Sequence, residues 1–375
     1  MTPTLWGPPA FRLIANNNDL TDKIRGRLFS LQLTDEAGFD ADMLEIVLVD
    51  DDPSRPIEVP PTGAELKLSL GYIEHLREMG LFVVDEIEVA GYPVALVIRG
   101  RAAPFETSKF GKKPMQDQKN RSWESGTKLK TMLETIAKEH EMEAAISASM
   151  AGITLPHFDQ KEESDINFLM RIVRKFDGIV KPAGGYLTIT KRGEGLSASG
   201  AELPRLTIRR DDVKSFRMTQ QKRDSAGTVI ANYKASKHAA RMEVKVGTGD
   251  PVKRIGTNYN SRELAVNAAR TEYARRLRGQ KVLNISIMGW PDVIAEMIVD
   301  VEQLHAAADG EWLTKSVTHC LSDGGYETDL VLEQPNSEEE PETTERVLVA
   351  PKVGSKESES DDDDGPAGVI TLPPA

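Results

Sequence analysis

Six histidines and one cysteine are the residues of this chain best suited to acid–base, nucleophilic or metal chemistry. The histidines are His75, His140, His157, His238, His305 and His319. None forms a His-Glu-x-x-His zinc helix or another paired metal spacing. His319 stands next to Cys320 and resembles a Cys/His dyad. Neighbouring strand residues point to opposite faces, so the two side chains are expected to diverge. The chain has no Gly-x-Ser-x-Gly elbow, no Walker loop and no Gly-x-Gly-x-x-Gly after a strand. Gly111-Lys112-Lys113-Pro114 lacks the upstream glycine of a phosphate loop, and its proline blocks a helix. Asp85, Glu86 and Glu88 are carboxylates close in sequence, but spacing alone does not make a glycosidase site. Nothing here argues for catalysis, and neither a metal nor a cofactor is called for.

Composition narrows the class further. The 375 residues carry a net charge of −12. Residues 336–375 hold eleven acids against three bases, so the rest of the chain is close to neutral. A protein that coats nucleic acid would be basic, and sequence-specific nucleic-acid binding is disfavoured. Cys320 is the only cysteine, so no intrachain disulfide can form. No apolar run approaches the ~20 residues of a membrane span, and the first residues do not read as a secretory signal.

The elements that would position side chains are mostly strands. Residues 10–104 read as a first small β-barrel of about six short strands. Phe29, Leu31 and Leu33 share a face, as do Leu44, Ile46 and Leu48, and Leu66, Leu68 and Leu70. Residues 105–122 are a lysine-rich connector, read as a solvated linker, with a phosphate-contacting loop as the alternative. Residues 123–193 form an α+β domain. One helix is capped by Thr127, and a second opens at Ser164 or Asp165 and carries Phe168, Leu169, Ile172, Val173 and Phe176. Asp177-Gly178 ends it with glycine at C′, and a hairpin follows through Gly184-Gly185.

After a small polar linker, residues 204–335 return to β as a second barrel. Its strands are expected at Leu206–Ile208, Ser215–Met218, Thr228–Tyr233, Met242–Val246, Val282–Ile287 and Val293–Val301. A helix over 261–278 interrupts them, with Leu264, Ala268 and Leu277 facing inward. Arg275, Arg276 and Arg278 suit the negative end of its dipole; an acidic partner surface is the alternative. Residues 336–375 are expected to be a disordered acidic tail. The overall reading is a β-rich α+β chain.

One segment is echoed. Residues 82–98 and 312–332 each read as strand, Gly-Tyr-containing turn and strand. With Phe82 set on Trp312, Ile87 falls on Val317. Leu96 falls on Leu330 and Ile98 on Leu332 if the second turn is four residues longer, a change that loop closure tolerates. Two related β units in one chain point towards architecture rather than an enzyme. Strands apolar on both faces are candidates for subunit contact: Val47 and Val49 on one, Ile294 and Ile298 on another.

The ending Asp309-Gly310-Glu311-Trp312, then Val317-Thr318-His319, then Gly325-Tyr326-Glu327-Thr328-Asp329-Leu330-Val331-Leu332, resembles the signature of the phage late control gene D family. Ser122 to Thr127 and Glu163 to Leu169 fall in the matching order, and the likeness covers residues 10–335. The resemblance implies a baseplate hub of a contractile tail, similar to the N-terminal part of VgrG. It implies a homotrimer whose paired β domains make a pseudo-sixfold ring between the hexameric tail tube and the trimeric central spike. The tube protein, the spike, baseplate wedge proteins and the tape measure protein are the implied partners. The implied location is the virion tail baseplate, assembled in the bacterial cytoplasm. A tail-associated peptidoglycan hydrolase, a VgrG-like secretion tip and a free-standing binding module are the alternatives.

Overall fold

Alternation along the strands builds two apolar faces. Leu31 and Leu33, Leu44, Ile46 and Leu48, and Leu66, Leu68 and Leu70 are all buried in one core. Leu283, Ile285 and Ile287, with Val317, Leu330 and Leu332, are buried in another. The computed structural model describes residues 7–37, 42–52, 54–102, 115, 117–183, 186–197, 201–221, 227–234, 241–336 and 341–348. The Gly111–Pro114 run, His238, the Gly184-Gly185 turn and most of the acidic tail lie outside them.

The chain divides into two compact bodies: Met1–Thr219 with Val282–Pro335, and Gln220–Lys281 with Asn336–Ala375. In the first, neighbouring strands run Val213–Gln220, Lys281–Met288, Gly325–Glu333, Gly310–Ser322, Leu28–Glu36, Met43–Val49, Ala95–Ala102, His75–Ala90, Glu65–Tyr72, Pro9–Ala15 and Asn18–Asp19. Ile298–Glu302 joins at Gly310–Ser322 and carries Leu206–Arg209 beside it. Two separate barrels were expected. The two units instead share one open sheet, and among the described residues there is no closed barrel. Strand Gly310–Ser322 of the second unit occupies the edge of Leu28–Glu36 of the first, pairing Ser316 with Glu36 through to Ser322 with Ser30. Each unit thus covers an edge of the other, which removes the need for closure on itself.

The α+β domain stands within the same body. Helix Leu129–Glu139 buries Leu129, Met132, Leu133, Ile136 and Ala137. Its N-cap is Lys128; the Thr127 hydroxyl is turned back onto the Glu124 carbonyl. Helix Asp165–Val173 begins at Ser164, whose hydroxyl accepts from the Asn167 N–H. Asp177, not glycine, takes the left-handed position, at φ 56°. Gly178 instead opens strand Gly178–Ala183 so close to Met150 and Val173 that no side chain fits. The expected linker ends in a strand, Gln118–Trp123, paired with Phe158–Ser164.

The second body is a four-stranded sheet, Val252–Tyr259, Thr228–Lys234, Arg241–Val246 and Thr343–Leu348, with helix Arg262–Arg278 on it. The helix and two of the strands therefore belong to a separate core, not to the second β unit. Ser261 caps the helix, as its side chain accepts from Leu264 N–H. The buried face is Ala265, Val266 and Ala269; Leu264, Ala268 and Leu277 are only half-buried. Small alanines let the helix approach the sheet, and that shifts the face by one residue. Arg275 and Arg276 both bond Glu272, and Arg278 is buried with Asn336. Thr343–Leu348 corrects the tail: it pairs with Arg241–Val246 from Leu348 opposite Arg241 to Thr343 opposite Val246.

Two further strand expectations change. Residues 293–297 are turns and loop, with Glu296 at φ 70°, and the strand begins at Ile298. Phe29 lies in a β-bulge between Leu28 opposite Leu48 and Ser30 opposite Val47. The extra residue turns outward and leaves Phe29 60% exposed.

Candidate functional site: the junction of the two β units

The junction is built from the ends of the two repeated hairpins. In the second, Ser322 pairs with Gly325 around a tight turn, and Gly325 sits at φ 110°, a conformation that favours glycine. The turn delivers Leu321 and Tyr326 into the apolar core of the first unit, while Trp312, Val317, Leu330 and Leu332 stay in the second. Trp312 Nε1 donates to the Ala308 carbonyl at 2.8 Å.

His319 lies between the two cores, 1% exposed. Its Nε2 lies 3.2 Å from the Val293 carbonyl and therefore donates there. Its Nδ1 accepts, 2.8 Å from the Tyr326 hydroxyl and 3.2 Å from Thr328 Oγ1. Thr328 Oγ1 also accepts from the Trp290 backbone N–H at 2.8 Å. Burial lowers the His319 pKa to about 4, so at neutral pH the ring is uncharged with both nitrogens occupied. This is a structural hydrogen-bonded hub, not a poised general base. Cys320 points the other way and is half-buried; burial, with Asp329 and Glu327 near, pushes its thiol up.

A cleft of about 410 Å³ opens beside His319. Asp35, Asp42 and Lys181 line it; Lys181 Nζ lies 3.1 Å from Asp35 and 3.7 Å from Asp42. Burial works against the Lys181 ammonium, but the two carboxylates raise its pKa. Burial also opposes ionisation of Asp35. Lys181 and the Ala295 N–H outweigh it and hold Asp35 below the usual carboxylate range. Burial pushes Asp42 up to about 6. These ion pairs fasten the α+β domain to the junction.

The repeat is offset differently from its sequence reading. Both hairpins carry a β-bulge, at Asp85 and at Lys315. Aligned on it, Phe82 matches Trp312 and Ile87 matches Val317. Ile87 pairs with Ile98, and Val317 pairs with Leu330, so Ile98 rather than Leu96 is the counterpart of Leu330. The second turn is two residues longer, not four. A shift of two keeps each side chain on its face, so the apolar pattern alone could not reveal it.

The remaining sequence candidates are dispersed. Ile298 is 9% exposed and lies beside Gly195, while Ile294 is half-buried and rests on the second core. Val47 and Val49 are half-buried on the sheet face away from the core. Asp85 pairs with Arg101, and Glu86 and Glu88 with Arg99, so these acids are ordinary ion pairs. Sequence reasoning missed Tyr72, Asp35 and Lys181. It also missed buried Asp165, which bonds Lys119, Arg121, His140 and Gln160. The only available signal was their polar type within apolar strands or at a helix start. Among the described residues no helix is long and apolar enough to cross a membrane.

The fold, two β units joined through one sheet, is that of phage tail proteins. It matches the 43 kDa tail protein of prophage MuSo2 from Shewanella oneidensis at a TM-score of 0.63 and 13% identity, over 87% of this chain and 98% of that one. No family model matches. The chain is 32% identical over 369 residues to the probable baseplate hub protein of Escherichia phage 186, covering 87% of this chain and 92% of that protein. It is 30% identical over 378 residues to the probable baseplate hub protein of Escherichia phage P2, covering 89% and 95%. The chain belongs to this family of baseplate hub proteins, and its place is the phage tail baseplate.

Proposed function

We propose that three copies of this hub close into a ring that adapts a hexameric tail tube to a trimeric central spike in a contractile tail. The observation that carries the reading is the repeat itself. The strand order Leu28–Glu36, Met43–Val49, Ala95–Ala102, His75–Ala90, Glu65–Tyr72 recurs as Val213–Gln220, Lys281–Met288, Gly325–Glu333, Gly310–Ser322, Ile298–Glu302. Two such units per chain and three chains give six near-equivalent positions for a sixfold tube, while the assembly keeps threefold symmetry for a spike. The role is non-enzymatic: His319 is fully bonded, and the exposed carboxylates of the first hairpin are paired with arginines.

The test is native mass at micromolar concentration, followed by binding to purified tube and spike proteins. A mass of three chains that binds both supports the reading, and a monomer that binds neither overturns it. Clearing of peptidoglycan by the pure chain, abolished by one carboxylate substitution, would establish the hydrolase alternative instead.

A further inference from the structure

The smaller body is built from two segments of opposite charge. Residues 220–281 hold fourteen bases against five acids, and residues 336–375 hold eleven acids against three bases. Strand alternation gathers part of the basic excess on one surface. Val229, Ala231, Tyr233, Val244 and Val246 pack with helix Arg262–Arg278, so their neighbours in sequence face the other way. Register then sets those neighbours side by side. Lys234 is opposite Arg241, Asn232 opposite Glu243 and Ile230 opposite Lys245. Arg254 is opposite Ile230 on one flanking strand, and Arg346 is opposite Glu243 on the other. Five cations thus share this sheet face with one strand carboxylate. Glu243 is buried, 2.8 Å from Arg254 and 3.7 Å from Lys245, and it offsets a single unit of charge. Lys234, Arg241, Arg254 and Arg346 are exposed.

The strand that brings Arg346 to this face also leads into the acidic run. Thr343–Leu348 ends opposite Arg241, which is itself opposite Lys234. Residues 349–375 lie outside the described residues. In sequence, eight residues separate Leu348 from Glu357, and Glu359 and Asp361 to Asp364 follow. A link of that length extends up to about 30 Å. Four strands span only about 14 Å from first to last. The acids therefore reach every cation of the face from their own chain.

We propose that the basic sheet face is a binding site for acidic polypeptide and that its occupant is the chain's own segment 357–364. The six carboxylates of that segment answer the five cations that Glu243 alone leaves in excess. Tethering through a short link holds the segment at about millimolar local concentration. Contacts between exposed charges are individually weak and are screened beyond about 8 Å at physiological salt. The segment therefore covers the face through many exchanging ion pairs, and added salt or a denser polyanion displaces it. The contact is made within one chain and does not depend on how many copies close the ring.

The experiment uses the full chain. A zero-length carbodiimide couples carboxylates to lysine amines at low salt, and the product is separated by denatured mass and mapped by mass spectrometry. The expected result is linkage of residues 357–364 to Lys234 and Lys245 in the species with the mass of one chain. Linkage at equal yield to Lys130 and Lys161, which lie in the larger body, overturns the site. The same linkage found only in species of two or more chains overturns occupancy by the chain's own segment. An independent readout is the anisotropy of a labelled oligoglutamate. A full-length variant carrying Glu357→Gln, Glu359→Gln and Asp→Asn at 361–364 should bind it at least about tenfold more tightly than the natural chain. Adding Lys234→Gln, Arg241→Gln and Arg346→Gln, all at exposed positions, should abolish that gain. Equal binding by the natural chain and the neutral-segment variant overturns the proposal. Binding of oligothymidine but not of oligoglutamate by that variant would assign the face to nucleic acid and overturn it as well.

Discussion

Tyr72 donates its hydroxyl to the carbonyl oxygen of Gly289 at 2.7 Å, across 217 residues of chain. The bond ties the end of strand Glu65–Tyr72 in one β unit to the residue that follows strand Lys281–Met288 in the other. The Tyr326 ring fills the space where a Gly289 side chain would project, and Tyr72 and Tyr326 have ring centroids 5.7 Å apart. Gly289→Ala must displace Tyr326 and with it the bond to His319. The expected cost is about 1–3 kcal/mol. Tyr72→Phe should cost about 1 kcal/mol, since it removes one buried bond without forcing a shift. Denaturant unfolding of the two variants would show this order; equal losses would mean that the ring can move freely.

A second prediction concerns pH. His319 has a folded pKa of about 4, below the unfolded value near 6.5. The unfolded chain therefore binds the extra proton, and the contribution is lost as pH falls from about 6.5 towards 4. Roughly 2 kcal/mol should go between pH 7 and pH 5. Asp42 acts in the opposite sense, because burial raises its folded pKa to about 6. Its protonated form favours the fold, and that gain fades as pH rises towards 6. Comparison with His319→Gln isolates the histidine: wild type should lose more stability than the variant over that interval. Parallel curves would contradict the buried neutral ring.

Much of the fold was legible because it rests on alternation. Leu31, Leu44, Leu68 and Leu330 follow period two and are buried where that period places them. The helix at Asp165 was legible because Ser164 is a capping residue before an apolar stripe. What was not legible depends on partners far away in sequence. Nothing local shows that Gly310–Ser322 will take the edge of Leu28–Glu36 instead of closing its own barrel. Thr343–Leu348 looked like part of a solvated acidic run. Its pairing with Arg241–Val246 and the ion pair of Glu345 with Arg262 supply the ordering that composition could not. The junction residues Asp35 and Lys181 are ordinary polar residues until the α+β domain brings them together.

Asp165 should be the most sensitive polar position of the α+β domain. Its carboxylate is 0% exposed, with Lys119 and Arg121 each at 2.5 Å and His140 at 2.8 Å. Burial opposes its ionisation, but the bonds from Lys119, Gln160 and His140 and the charge of Arg121 hold its pKa below the usual value. Asp165→Asn leaves those cations facing a neutral amide, with only Glu139 in compensation. A loss of about 3 kcal/mol is expected at neutral pH. The depressed pKa makes this stability present above pH ~4 and lost only below it. A loss under ~0.5 kcal/mol would show that Glu139 suffices.

Two truncations separate the strand of the tail from the residues beyond it. A chain ending at Leu348 keeps Thr343–Leu348; one ending at Asn336 removes it and opens the edge of Arg241–Val246. Only the shorter chain should show faster amide exchange in Arg241–Val246 and helix Arg262–Arg278, by about tenfold or more. Leu28–Glu36, in the other body, should be unchanged in both. Equal exchange in the two truncated chains would mean that the strand adds nothing to its sheet.

The last prediction contrasts Val47 and Ile298, which the sequence alone presents as equivalent. Val47 sits in Met43–Val49, flanked by Ser30 on one side and Val97 on the other. Its strand has no free edge, and its side chain lies half-buried on the face opposite Leu44, Ile46 and Leu48. A carboxylate there can reach water, so Val47→Asp should leave the circular dichroism unchanged and cost under about 1 kcal/mol. Ile298 is 9% exposed and closed over by the loop at Gly195. Ile298→Asp buries a charge, and a loss of at least ~3 kcal/mol is expected. A Val47→Asp chain that stays folded but dissociates would show that this sheet face joins one copy to the next.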